Sequence, residues 1–172
     1  MFLSRSKFCC QWGFGSVGVA TVKNAKEPSQ IPFAAIPLIF AIQQAVEGCV
    51  WVGLQNANQE SWLYSSIYLF LFFAQVVWPL WVPLSILLLE KNQTRKRIMR
   101  VIFAIGASAS LYLLYCLVAY DVKAEIHSGH IKYTFDLPLS LVWISSVCYF
   151  IPVVIPLLSP VQRKLQCLVW PY

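Results

Sequence analysis

Charge is the scarcest commodity in this chain. Only 12% of its 172 residues are charged, with seven acidic and two histidine residues among them all. A soluble domain of this size carries about 25% charged residues, so an ordinary water-exposed surface cannot be built from this composition. No acidic, basic or low-complexity tail is present. The six cysteines show no zinc or redox spacing. Cys49, Cys116 and Cys148 lie in apolar runs and read as small packed hydrophobes, so a disulfide framework is not expected. Nucleotide loops, nucleophile elbows and haem motifs are all missing, which argues against an enzyme, and no cofactor is expected. The net charge of +6 comes from basic residues set between apolar runs. That placement suits anionic lipid headgroups rather than nucleic acid.

What fills the chain instead is apolar sequence, 59% of it. Four runs stand out: Pro32–Leu54, Trp62–Leu89, Ile98–Tyr120 and Leu137–Leu158. The first, taken as a helix at ~1.5 Å per residue, reaches ~34 Å, enough for a ~30 Å hydrocarbon core. Each of the others also passes the length for a spanning helix. Pro79 and Pro83 predict a tilt and kink toward the basic end of the second run, and Pro152 and Pro156 a bend in the fourth. A fifth segment, residues 8–22, is short and glycine-rich, and reads as a weak first span, with a signal peptide ending near Ala20 as the alternative. The expected fold is therefore all-α. It is a single integral membrane domain, residues 1–172, forming a polytopic transmembrane helix bundle with four clear spans and one weak N-terminal span.

Basic residues orient that bundle. Counting the connecting segments alternately puts nine Lys and Arg on one side and four on the other. The positive-inside rule then makes the Glu90–Arg100 loop and the C-terminus cytoplasmic and the His127–His130 loop external. Trp62, Trp78, Trp81 and Tyr120 fall near span ends, as interfacial aromatics do.

Glu47 interrupts the first apolar run. A carboxylate inside a membrane is costly unless protonated, paired or hydrated, and such residues mark function or helix association. On a helical wheel Gln43, Gln44, Glu47 and Trp51 share a face bordered by Ala41, Ala45 and Gly48, while Ile39, Ile42, Val46, Cys49 and Val50 make an opposite lipid face. Other runs supply polar residues to answer it. Gln75 and Trp78 share one side of the second run with Tyr64 and Tyr68, and Tyr112 shares one side of the third with Ser108 and Tyr115. The polar seam is therefore Gln43, Gln44, Glu47, Gln75 and Tyr112, with Trp51 and Trp78 as its aromatic members. Gln75 and the tyrosine hydroxyls are the expected hydrogen-bond partners of Glu47. No Lys, Arg or His occupies a span centre, so no ionic partner is expected. His127 and His130, three residues apart, can share one metal if the loop is helical, although no third ligand is evident; a solvated, pH-sensitive loop is the plainer reading.

The stretches "IPFAAIPLIFAIQQAVEGCVWVGL" and "YLFLFFAQVVWPLWVP", the Glu90 after them and then "GHIKY" resemble an uncharacterised family of bacterial multi-pass membrane proteins, a domain of unknown function. The resemblance runs from about Gly15 to Leu158 and implies an inner (plasma) membrane location without assigning an activity. It places Gln43, Gln44, Glu47, Trp51, Gln75, Trp78 and His130 on family motif positions. Relatives open Met-Cys-Phe-Ser and continue into further apolar spans, whereas this sequence opens Met1-Phe2-Leu3-Ser4 and ends "RKLQCLVWPY". By that resemblance a truncated or frameshifted member is expected. Three functions compete: small-solute or proton/ion-coupled transport through Glu47; a non-catalytic membrane subunit or sensor with the seam as helix glue; and an intramembrane lipid-modifying hydrolase. The last is a fold-level likeness to seven-helix membrane hydrolases, which need several intramembrane histidines and an aspartate that these spans lack. The expected partners are the lipid bilayer and either a second copy or other membrane proteins.

Overall fold

The computed structural model describes residues 15–55, 60–127, 129–135 and 139–157. The first half of the weak 8–22 segment, with Cys9 and Cys10, lies outside the described residues, as does the tail beyond 157. Residues 15–23 form a helix, α1. Gly18 lets it press against the next long helix, since a Cβ there would meet the Leu38 backbone nitrogen at 2.6 Å. The Thr21 hydroxyl donates to the Ala34 carbonyl at 2.8 Å, fastening the same contact.

A 3-10 turn at Pro28–Gln30 leads into α2, Ile31–Ala34, and α3, Ile36–Gln55. Pro37 cannot donate to the carbonyl of Phe33, which separates the two helical pieces. Helix α4, Glu60–Phe72, runs back antiparallel to α3. It passes through a π-helical turn, Phe73–Val77, into α5, Trp78–Leu89. The π turn has a cause in the sequence. Pro79 has no N–H for the carbonyl of Gln75, four residues earlier, so the ladder shifts by one residue there. The distortion expected from Pro79 and Pro83 is thus found one turn before Pro79.

Helix α6, Gln93–Ala119, packs antiparallel on α5. Asn92 caps it, its Oδ1 accepting from the backbone N–H of Thr94 at 3.0 Å and of Arg95 at 3.4 Å. The connection is therefore only Glu90, Lys91 and Asn92. Arg95, Lys96, Arg97 and Arg100, expected in a loop, sit on the first two turns of α6. Glu90 is buried and its Oε1 accepts from the Asn92 N–H at 2.9 Å. Two contacts hold α5 and α6 close. Pro83 has no N–H to return to the Pro79 carbonyl, and Gly106 of α6 sits against that oxygen, where a Cβ would come within 2.1 Å. One turn away the Ser110 hydroxyl donates to the Val76 carbonyl at 2.9 Å, within the π turn. Helix α7, Leu139–Leu157, packs on both α5 and α6. Its Pro152 is buried, with its Cβ 3.0 Å from where Gly106 would carry a side chain.

The all-α expectation needs one correction. The segment between α6 and α7 is an antiparallel hairpin, β1 Val122–His127 with β2 His130–Phe135. Its residues alternate. Val122, Ala124, Ile131, Tyr133 and Phe135 turn toward the helices and pack on a cluster of Val50, Ile67, Leu71 and Leu117. Lys123, Glu125, Lys132 and Thr134 are exposed. Glu125 stands opposite Lys132, a favourable cross-strand pair. Gly129, at φ 82°, makes the reversal.

Among the described residues three helices are long and apolar enough to cross a membrane: Pro28–Gln55, Trp62–Leu89 and Gln93–Ala119. In the most apolar stretch of the first, only 11% is buried inside the protein. Helix α6 carries an outward stripe of Ile98, Val101, Ile105, Leu111, Tyr115 and Val118, the last two 64% and 80% exposed. A continuous apolar face of that length marks a surface for contact with a membrane or with another protein. The same exposure moves Ser108 and Tyr115 away from the seam; Ser108 turns its hydroxyl back to the Ala104 carbonyl at 2.9 Å.

Candidate functional site

The expected seam draws its residues from α3, the π turn, α5 and α6. Its register follows from two bonds. Trp78 Nε1 donates to Gln43 Oε1 at 2.6 Å, tying α3 to α5, and Ser110 ties α6 to Val76. Helices α3 and α4–α5 are antiparallel, so a turn onward from Gln43 reaches Glu47, and a turn back from Trp78 reaches Gln75. On α6, Tyr112 lies two residues past Ser110. Glu47, Gln75 and Tyr112 therefore occupy one depth, with Trp51 a further turn toward the hairpin.

Within that layer the polar groups are satisfied unevenly. Gln43 is buried, 7% exposed, and its amide oxygen is taken by Trp78. Glu47 is half-buried and accepts from Gln44 Nε2 at 3.1 Å. The partner of the carboxylate is thus Gln44 on its own helix, in place of Gln75 across the interface. Gln75 Oε1 is buried with no hydrogen-bond partner among the described residues. The Trp51 indole nitrogen and the Tyr112 hydroxyl are buried as well. Among the described residues the ion pair present is Lys91 with Glu27 at 3.5 Å, an exposed contact far from Glu47. The wheel's lipid face also needs adjustment. Val50 is fully buried, while Ile42 and Cys49 are exposed. The buried side of α3 is centred on Gln43, Val50 and Gly53, and Glu47 lies on its flank.

One residue of this region escaped the sequence reading. Tyr133 of β2 stacks on Phe70 of α4, ring centroids 5.2 Å apart and planes 17° from parallel. Its hydroxyl is buried and has no hydrogen-bond partner among the described residues. Burial, and after it the negative charge of Glu47, raise the pKa of that hydroxyl above its ordinary value. The hairpin therefore carries a phenol into the electrostatic reach of the seam's carboxylate. The signal was present: two alternating six-residue runs, "VKAEIH" and "HIKYTF", joined by Ser-Gly, form a hairpin pattern.

His127 and His130 stand directly opposite each other across the strands at the exposed tip of the hairpin. Their ring centroids are 6.0 Å apart. No group of three or more His, Cys, Asp or Glu suited to a metal ion forms among the described residues.

Residues 5–170 match the model of a family of unknown function, DUF6629. The chain belongs to that family. The DUF6629 match takes in residues 5–12 and 159–170, segments that the resemblance to an uncharacterised family had set apart. No curated protein and no solved structure matches the chain. Family membership therefore adds no activity to the geometry, and the reading of this DUF6629 member rests on its own residues.

Proposed function

We propose that this chain is an integral, multi-pass membrane protein that couples movement of a proton or small cation, with or without a small solute, to the Glu47 layer. The observation that supports it is the state of Glu47. It is half-buried in an apolar helix, bonded only to a neutral amide and facing no cation among the described residues. A carboxyl so placed is stable when it binds a proton or a mobile cation. In this reading α7 crosses the bilayer beside the three long helices. The basic turns of α6 face the cytoplasm of a bacterial inner membrane, and the hairpin lies outside.

Reconstitution tests the proposal. Purified protein is placed in liposomes holding a pH-sensitive dye, and a pH step is applied under a clamped potential. Wild type should carry protons, or sodium or potassium in parallel flux assays, well above empty liposomes, and Glu47→Gln should remove that flux. Flux equal to empty liposomes, or unchanged in Glu47→Gln, overturns it.

A second reading has its own support. The Gln43–Trp78 bond turns part of the seam into helix–helix attachment, and the Gly106 contact closes α6 on α5, as a non-catalytic membrane subunit or sensor would need. Glu47→Gln would then leave assembly and behaviour intact.

A further inference from the structure

The geometry points to a divalent metal site at the tip of the hairpin, held by His127 and His130. The two residues are register partners on the same outward face, and both are exposed. A zinc ion ~2.0–2.1 Å from one nitrogen of each ring would set the ring centroids about 5 Å apart. The observed 6.0 Å is within reach of small rotations of the two exposed side chains. Imidazole suits zinc, copper and nickel, so the ligand class is a borderline transition-metal ion rather than calcium or magnesium. Glu125, two residues before His127 on the same face, supplies negative charge nearby, but it stands opposite Lys132 and so is balanced.

The position also defines the kind of site. A metal here would join strands already closed by a two-residue turn, so it removes little further chain entropy and is not needed as a staple for the fold. Two protein nitrogens leave the remaining coordination positions to water, open to the medium around the tip. Structural zinc sites are closed by four protein ligands; an open site exchanges its ion and can pass it to another ligand. The inference stands on the hairpin alone and does not depend on transport through Glu47.

Calorimetric titration of Zn2+ into the full chain in detergent, free of any affinity tag, tests it. One ion should bind per chain, and the binding should weaken more than ~10-fold in His127→Ala and in His130→Ala. The double variant should lose it. Proton NMR of the two imidazoles should show both rings shifting together at one equivalent of zinc. Because both side chains are exposed, the variants should keep wild-type circular dichroism. Zinc uptake unchanged in the double variant, or no uptake by wild type up to ~1 mM, overturns the site, as does a shift confined to one ring.

Discussion

Gly106→Ala tests the packing of α5 on α6 most directly. A Cβ at that position would lie 2.1 Å from the Pro79 carbonyl oxygen, 3.2 Å from its carbon and 3.0 Å from Pro152 Cβ. Carbon and oxygen approach no closer than about 3.3 Å even in a favourable Cα–H···O contact. The two helices must therefore part by about 1.2 Å at this level, since neither obstacle is the end of a flexible side chain. Overpacking of this kind costs about 1–3 kcal/mol. One turn away, the 2.9 Å Ser110–Val76 bond would be stretched beyond bonding distance, a further ~1 kcal/mol. The expected destabilisation is therefore roughly 2–4 kcal/mol, read as a shift in reversible unfolding in mixed micelles. Ser110→Ala in the same background should add almost nothing, because the bond is already lost. Gly15→Ala is the control: nothing lies within 4 Å of its Cβ position, so it should be neutral or stabilising. A Gly106→Ala protein as stable as wild type, with Ser110→Ala still costing its full amount, would refute the close approach.

Gln43→Leu should cost about 1–3 kcal/mol in the same unfolding assay, because it strands the Trp78 N–H, and Trp78→Phe in that background should cost little more. The Tyr133 hydroxyl has a pKa raised by burial and by Glu47, so the folded protein holds this proton at a pH where the unfolded chain releases it. Its contribution to stability is fully present below about pH 10, the ordinary phenol value, and is lost as pH rises above it. Tyr133→Phe should flatten that alkaline decline, and Glu47→Gln should let Tyr133 ionise at lower pH in an ultraviolet absorbance titration. An alkaline profile identical in wild type and Tyr133→Phe would place the phenol in open solvent.

How far the sequence reaches can be seen at particular residues. Length and apolar content alone predict the three long helices, because a helix of given length and hydropathy is a local property. The π turn before Pro79 is local as well, since a missing N–H acts on the same helix four residues away. The hairpin was legible in the alternation around Ser-Gly but was overshadowed by the apolar runs on either side. The fate of the seam was not legible. Gln43, Gln44 and Glu47 share a helical face by periodicity, yet one bonds across the bundle and the other two bond to each other. That outcome depends on which helix lies opposite and how far it is shifted. For α3 the shift is held by Gly53 against Leu63 and by Trp81 reaching the Pro32 carbonyl just before it, and for α6 by Gly106 against a proline-freed carbonyl and by Ser110 reaching Val76. Tyr133 is the extreme case. Its sequence position, eighty-six residues from Glu47, carries no hint of the carboxylate whose charge it feels. The composition determined by itself that apolar side chains occupy much of the surface, because so few charged residues are present to cover it. Only tertiary packing decided which polar groups face one another, because that is fixed by the relative translation of helices, which no single segment encodes.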